Sequence, residues 1–90
     1  MSYIFLHYAD PLTLDEIAAS AGVSRSKCCR LFRKYLGQSP IDFLNSYRLE
    51  RGRRMLPDTD KSITEIAMSC GFASPGYFTR LFSQKYGVTP

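Results

Sequence analysis

The sequence contains little of what metal centres, disulfide frameworks and membrane spans are built from. Its 90 residues include one histidine, His7, and three cysteines, an odd number without paired spacing. Because a structural zinc site needs four ligands at recognisable spacing, we predict no bound metal and no cofactor. No apolar run approaches the roughly 18 residues of a transmembrane helix, and the N-terminus lacks the basic and apolar segments of a secretory signal. These absences favour a cytoplasmic protein.

Basic residues are absent from the first part of the chain and concentrated in the middle. Residues 1–24 contain no lysine or arginine, whereas residues 25–54 carry nine such side chains against Asp42 and Glu50, a local net charge of +7. A basic block of this kind on helical sequence indicates a polyanionic partner such as nucleic acid. The alternative is a charged face that contacts only solvent.

Two stretches of the chain share one pattern about fifty residues apart. The offset is 49 before the central turn and 50 after it, so the second copy has one extra residue near Ala73 and Ser74. Each copy reads as a short helix, a tight turn with glycine and a second helix, which is typical of helix-turn-helix DNA binding. A chain with two such units can read two stretches of one duplex without dimerising. Matched pairs include Glu16 and Glu65, Gly22 and Gly71, Arg30 and Arg80, and Pro40 and Pro90.

Capping residues predict where the helices begin and end. Thr13 followed by Glu16, and Ser62 followed by Glu65, are two capping boxes. Gly22 is placed to end a helix with a positive φ. The other predicted boundaries are a first helix ending before Asp10–Pro11, a helix from Ser24 to Gly37, a long helix from Ser39–Pro40 to Pro57, a polar linker at 57–60, and a last helix from Ser74–Pro75.

The resulting prediction is an all-α chain of six helices. Two helix-turn-helix subdomains of the homeodomain-like, three-helix kind occupy residues 1–38 and 58–90, and a linker helix occupies 39–57. Helical periodicity assigns the inward positions, including the thiols of Cys28 and Cys70, whereas Cys29 should face outward. The predicted inward residues are Leu14, Ile17, Ala18 and Ala21; Cys28, Leu31, Phe32 and Tyr35; Ile63, Ile66, Ala67 and Cys70; and Phe78, Leu81, Phe82 and Tyr86.

The linker helix sets the spacing expected between the two units. About 17 residues at ~1.5 Å rise span roughly 25 Å, which is comparable with the ~34 Å between successive major-groove faces on one side of B-DNA. Gly52 lies inside this helix, where glycine costs about 0.5–1 kcal/mol relative to alanine. We therefore expect either close packing or a slight bend at Gly52.

The second helix of each unit is the predicted recognition helix, because its N-terminal half enters the major groove. Arg30 and Arg80 occupy equivalent places and are the leading candidates for bidentate contact with guanine; the alternative is a salt bridge or a phosphate contact. Since Gly76 lacks a side chain and Pro75 a donor, specificity should rest mainly on the first unit. The other outward residues predicted to read bases are Ser26, Lys27, Cys29, Tyr77 and Thr79, and those predicted to contact phosphates are Arg25, Lys34, Arg48, Arg51 and Lys85.

The chain resembles the C-terminal DNA-binding domain of AraC/XylS-type bacterial transcription regulators. The first half carries the resemblance in Gly22-Val23-Ser24, Arg30-Leu31-Phe32 and Gly37-Gln38-Ser39-Pro40. The second half carries it in Cys70-Gly71-Phe72, Tyr77-Phe78, Arg80-Leu81-Phe82 and Tyr86-Gly87-Val88-Thr89-Pro90. The resemblance extends over essentially the whole chain.

This resemblance implies two helix-turn-helix subdomains joined by a linker helix and inserted into adjacent major-groove segments. It also implies activation of transcription by contact with RNA polymerase, and an effector-binding or dimerisation domain elsewhere in the intact protein. This chain is therefore expected to be a fragment of a longer regulator, and the alternative is a stand-alone member of the family. Gly52 stands where the family usually has alanine. The base contacts implied by the family fall on Ser26, Cys29 and Arg30, and on Gly76, Thr79 and Arg80.

Two other classes of function remain open from the residues alone. A helical protein-interaction module could use Tyr77 and the basic face on an acidic partner. Glu16 and Glu65 could in principle form a general acid–base pair. Their capping boxes, however, give each glutamate a structural role, and no histidine or nucleophile accompanies them to support catalysis. We therefore predict a sequence-specific binder of double-stranded promoter DNA that is not an enzyme.

Overall fold

The computed structural model describes residues 2–57 and 60–90, and in this part of the chain all regular structure is helical. Asp58 and Thr59 of the predicted linker lie outside the described residues. The predicted six helices are confirmed. Their bounds are α1 Ser2–His7, α2 Leu14–Ser20, α3 Arg25–Leu36, α4 Pro40–Met55, α5 Ile63–Ser69 and α6 Pro75–Tyr86.

Both predicted capping boxes are present at the helix starts. The Thr13 hydroxyl accepts from the Glu16 amide at 3.2 Å, and the Glu16 carboxylate accepts from the Thr13 amide at 3.3 Å. At α5 the Ser62 hydroxyl accepts from the Glu65 amide at 3.2 Å, and the Glu65 carboxylate accepts from the Ser62 amide at 3.4 Å. Each box satisfies amides that the first helical turn leaves without a partner, so both glutamates have the structural role that the sequence predicted.

The chain divides into two compact units, Met1–Ser46 and Tyr47–Pro90, with the division inside α4. In the first unit Ile4, Ile17, Ala18 and Cys28 form a buried cluster with Leu44 from the start of α4. Aromatic rings extend this core, since Phe43 lies 5.8 Å from Phe32 and 6.3 Å from Phe5 between ring centroids.

Two of the predicted inward positions in the first unit are wrong. Ala21 is exposed because α2 ends at Ser20 and Ala21 is its C-cap, outside the apolar face. Tyr35 is 71% exposed because it lies in the last turn of α3, beyond the core cluster. Periodicity gives the direction of a side chain around a helix but not where along the helix the core ends.

The second unit has a core of packed aromatic rings. Phe78 is fully buried, with ring centroids 5.1 Å from Phe72 and 5.8 Å from Phe82. Ile66 and Ala67 of α5 are buried as predicted. The Cys70 thiol is also buried, and this burial raises its pKa.

Gly52 of α4 packs against this aromatic core. A Cβ at position 52 would lie 2.8 Å from Phe78 Cε1, 3.0 Å from Phe78 Cζ and 3.6 Å from Cys70 Sγ. The first of these distances is shorter than carbon atoms tolerate, so the close packing predicted at Gly52 is confirmed. The α4 backbone approaches the Phe78 ring where only hydrogen fits.

A polar cluster joins the end of α4 to the end of α6. Glu50 accepts from Arg53 Nη2 at 2.6 Å, from Arg54 Nε at 3.2 Å and from the Tyr86 hydroxyl at 3.2 Å. These contacts, led by the hydrogen bond from Arg53, lower the pKa of Glu50 to about 2. Arg53 and Arg54 both form ion pairs with Glu50 while their side chains stay largely exposed.

Candidate nucleic-acid interface

The first helix-turn-helix consists of α2, a turn at residues 21–24 and α3. Gly22 has φ +68°, the left-handed conformation predicted for it, and the Val23 amide donates to the Ala18 carbonyl at 3.1 Å. Ser24 then caps α3, its hydroxyl accepting from the Lys27 amide at 3.2 Å. The turn is therefore fixed by backbone bonds on one side and a cap on the other, which sets the direction in which α3 leaves it.

The outward face of α3 carries most of the predicted contact residues. Cys28 is buried and its pKa is raised, first by that burial and then by the neighbouring Cys29. Cys29 is half-exposed, as the outward prediction required. The exposed polar side chains on this helix, apart from Tyr35 in its last turn, are those of Arg25, Ser26, Lys27, Arg30, Arg33 and Lys34.

Small side chains open a depression at the start of α3. It is lined by Ser26 and Cys29 from α3, by Leu14 from the start of α2 and by Arg25. Arg25 is held there, because its Nε lies 3.1 Å from Asp15 Oδ1 while both side chains stay about two-thirds exposed. The sequence did not predict that Asp15 would hold Arg25. Asp15 lies one residue before a capping glutamate, and nothing in that position indicates a partner on α3.

The second helix-turn-helix repeats this construction in α5, the turn at residues 70–74 and α6. Gly71 has φ +90°, and the Phe72 amide donates to the Ala67 carbonyl at 3.1 Å, matching the bond at Val23. Ser74 caps α6 through the Tyr77 amide at 3.2 Å, and Pro75 takes the first-turn position. The extra residue in this copy therefore lies in the turn, as the repeat offset predicted.

The outward face of α6 offers fewer polar groups than that of α3. Gly76 is exposed, with no atom within 4 Å of where a Cβ would stand. Thr79 is half-buried and Arg80 is exposed. The Arg80 guanidinium lies over the Tyr77 ring, 5.1 Å from its centroid, which is within the range of a cation–π contact.

The five predicted phosphate contacts differ in accessibility. Arg25, Lys34 and Lys85 are exposed, and Arg51 is half-buried. Arg48 is buried, with 9% of its surface accessible, and the loss of hydration lowers its pKa against the opposing influence of Cys70 and Tyr77. The prediction that Arg48 contacts phosphate does not fit this burial, because little of the side chain is left at the surface for a phosphate to reach.

The described residues contain no group of three or more His, Cys, Asp or Glu side chains that could hold a metal ion. No described helix is both long enough and apolar enough to pass through a bilayer. The surface chemistry concentrated on α3 and α6 is cationic and hydrogen-bond donating, which suits a phosphodiester partner.

Comparisons with known proteins agree with this geometry. A family profile described as a helix-turn-helix domain matches residues 17–90. The transcriptional regulator ArgR of Pseudomonas aeruginosa is 44% identical over 81 residues, which cover 90% of this chain and 25% of ArgR. The transcriptional activator RhaS of Escherichia fergusonii is 34% identical over 84 residues, covering 93% of this chain and 30% of RhaS. The chain spans about a quarter to a third of the length of these two regulators.

Solved structures of DNA-binding transcription regulators also superimpose on this chain. A transcriptional regulator with an AraC-type DNA-binding domain from Chromobacterium violaceum superimposes with a TM-score of 0.92 at 38% identity, over 99% of this chain and 80% of that one. The DNA-binding domain of AdpA, solved in complex with a target DNA, superimposes with a TM-score of 0.94 at 30% identity, over 99% of this chain and 80% of that one. These matches are DNA-binding transcription regulators and not enzymes.

Proposed function

The chain belongs to the AraC-type helix-turn-helix family, and we propose that it binds promoter DNA sequence-specifically by inserting α3 and α6 into adjacent major-groove segments. The observation that carries this proposal is the exposed basic face of α3, which follows a turn built in the same way as the turn before α6. Each of these helices presents an exposed arginine at the same place in the repeat, Arg30 and Arg80.

Base reading is proposed for the side chains near the start of each recognition helix. Arginine can donate two hydrogen bonds to guanine O6 and N7, a contact that provides about 1–3 kcal/mol of discrimination. On α3 the small side chains at the depression leave room for a thymine methyl group beside Arg30. The residues proposed to face bases are Ser26, Lys27, Cys29, Arg30, Gly76, Thr79 and Arg80; Tyr77, also predicted to read a base, lies under the Arg80 guanidinium.

Phosphate contacts are proposed for the flanking cations Arg25, Lys34, Arg51 and Lys85. These side chains position the protein on the duplex and add affinity for any sequence. Arg48 is left out of this set because it is buried.

We further propose that the intact regulator activates transcription by contacting RNA polymerase and that an effector-binding or dimerisation domain is joined to this one. The support is that RhaS is an activator by name and that ArgR and RhaS are three to four times as long as this chain. Transcription in vitro from a promoter carrying the selected site would test the first part, with repression or no change as the contrary result.

The binding proposal is tested by selecting sites from a random duplex library and measuring affinity for the selected and scrambled duplexes at rising salt. We expect the selected duplex to bind more tightly at every salt concentration, whereas equal affinity for both would refute sequence-specific reading. Arg30→Ala and Arg80→Ala should each flatten the preference at a separate base pair. Lys34→Ala should weaken binding to all duplexes alike and reduce the salt slope by about one.

Arg54→Ala is the matched control for these variants. It removes the same charge from an exposed arginine that is paired with Glu50 outside both recognition helices. We expect it to leave the base preferences unchanged. A flattening of preference by Arg54→Ala as large as that of Arg30→Ala would show that net charge, and not base contact, determines the effect.

A further inference from the structure

The two equivalent arginines have different surroundings. Arg80 lies against the face of Tyr77, whereas no hydrogen bond, ion pair or ring contact involves Arg30 within residues 2–57 and 60–90. We propose that Tyr77 is a positioning residue, which holds the Arg80 guanidinium in the orientation that reads its base pair. This inference rests on the proposed function, because it assumes that Arg80 contacts a base.

The Tyr77 ring is itself fixed by the core of its unit. Tyr77 is half-buried, and its ring packs edge to face on Phe72 at 6.1 Å between centroids. Phe72 is 3% exposed and lies 5.1 Å from the fully buried Phe78. A chain of ring contacts therefore runs from the core to the surface and ends under the guanidinium of Arg80.

The spacing on α6 makes this contact possible. Tyr77 and Arg80 are three residues apart, so they lie on the same face of the helix as neighbours. A guanidinium that stacks on an aromatic ring uses its flat face, while its N–H donors point outward in the plane. Stacking on Tyr77 thus leaves the edge of Arg80 free for guanine O6 and N7.

The first unit lacks both aromatic residues that support the guanidinium in the second. Where the second copy has Phe72 and Tyr77, the first has Val23 and Lys27. A lysine ammonium three residues before Arg30 repels the guanidinium instead of attracting it. The difference lies in the sequence and is independent of how either helix meets DNA.

A side chain that is already oriented loses less conformational freedom when it binds. Arg80 should therefore discriminate its base pair more sharply than Arg30 does. The proposal assigns a sharp preference to the second unit, the opposite of the expectation based on its small number of polar side chains.

The test measures the ratio of affinities for the preferred and alternative base pairs at each position of the selected duplex. Arg80→Ala should abolish the preference at one base pair. Tyr77→Leu should lower the preference at that same base pair by about two- to fivefold, the range of an exposed cation–π contact. Tyr77→Phe keeps the ring and should retain the preference, which separates the π face from the hydroxyl.

The double variant distinguishes positioning from direct contact. If Tyr77 acts through Arg80, Tyr77→Leu should change no base preference further once Arg80→Ala is present. A further loss in that background, or a loss at a different base pair, would show that Tyr77 touches a base itself and would overturn the proposal. Tyr77→Lys, which copies the first unit, is the second variant in case Tyr77→Leu does not fold, and thermal unfolding of each variant checks this.

The remaining outcomes separate the two proposals. If Arg80→Ala removes a preference and neither Tyr77→Leu nor Tyr77→Lys lowers it, positioning by Tyr77 is refuted and the proposed function stands. If Arg80→Ala changes no preference at any base pair, base reading by Arg80 is refuted and the inference about Tyr77 is refuted with it.

Discussion

Gly52→Val should destabilise the second unit, because α4 approaches the Phe78 ring where there is no room for a side chain. The Cβ alone would lie 2.8 Å from Phe78 Cε1. Phe78 cannot easily move away, since it is fully buried between Phe72 and Phe82. The added methyl groups must therefore be accommodated by shifting the ring or the helix.

Two opposing contributions determine how much Gly52→Val changes the free energy of unfolding. Valine gains about 0.5 kcal/mol at most over glycine in helix propensity. Overpacking a well-filled core costs about 1–3 kcal/mol, so we expect a net loss of about 2 kcal/mol. A chain of this size has a free energy of unfolding of roughly 5–13 kcal/mol. Each kcal/mol of lost stability lowers the midpoint of thermal unfolding by about 4–8 °C. The variant should therefore unfold roughly 10 °C below the parent.

The assay is thermal and urea unfolding followed by the helical circular dichroism signal, without DNA. Gly76→Val is the matched control, because Gly76 also lies in a helix but has no atom within 4 Å of the place a Cβ would take. We expect this control to stay within about 0.5 kcal/mol of the parent. Equal stability of Gly52→Val and the parent, or an equal loss in both variants, would refute the argument from packing against Phe78.

Three further predictions concern the caps, the acidic range and the thiols. Ser62→Ala should cost about 1 kcal/mol in urea unfolding through loss of the α5 cap, and an unchanged midpoint would contradict this. Because the folded pKa of Glu50 is lowered to about 2, chiefly by Arg53, its contribution to stability is present above the unfolded value and is lost as pH falls from about 5 toward 2. The parent should therefore lose more stability than Glu50→Gln over that range, by up to about 1 kcal/mol at this partly exposed site, and parallel pH profiles would argue against it. Iodoacetamide should label Cys29 before Cys28 in the folded chain, as read by mass spectrometry, since burial shields Cys28 and raises its pKa; simultaneous labelling would contradict that assignment.

The fold could be predicted largely because its determinants are local. A capping box such as Thr13 with Glu16 fixes a helix start within four residues, and Gly22 supplies a positive φ that other residues rarely adopt. These signals occur twice, and each copy supports the interpretation of the other. The error at Tyr35 arose where α3 extends past the core, a limit that depends on packing partners distant in sequence, whereas Ala21 lies just beyond the end of α2.

The candidate site was less predictable because it depends on which cations remain at the surface. Periodicity on α3 separated the buried Cys28 from the exposed Arg30 correctly, since that helix has one apolar face. On α4 the sequence predicts that Arg48 contacts phosphate, but an arginine carries a long apolar stem and can pack inward when its neighbours leave space. Whether an arginine faces DNA or the core is thus a tertiary property that residue type does not reveal.

The comparison of the two repeats separates what makes the fold from what sets its specificity. The matched glycines of the turns, Gly22 and Gly71, both take a positive φ and so orient the helix that follows. Some of the residues that differ between the copies lie at the start of the recognition helices, where Lys27 in one unit corresponds to Tyr77 in the other. A duplicated unit can keep its turn and change its target by such differences, because they leave the glycine that sets the direction of the recognition helix in place. We therefore expect the unequal side chains around the matched Arg30 and Arg80 to make the two units prefer different base pairs.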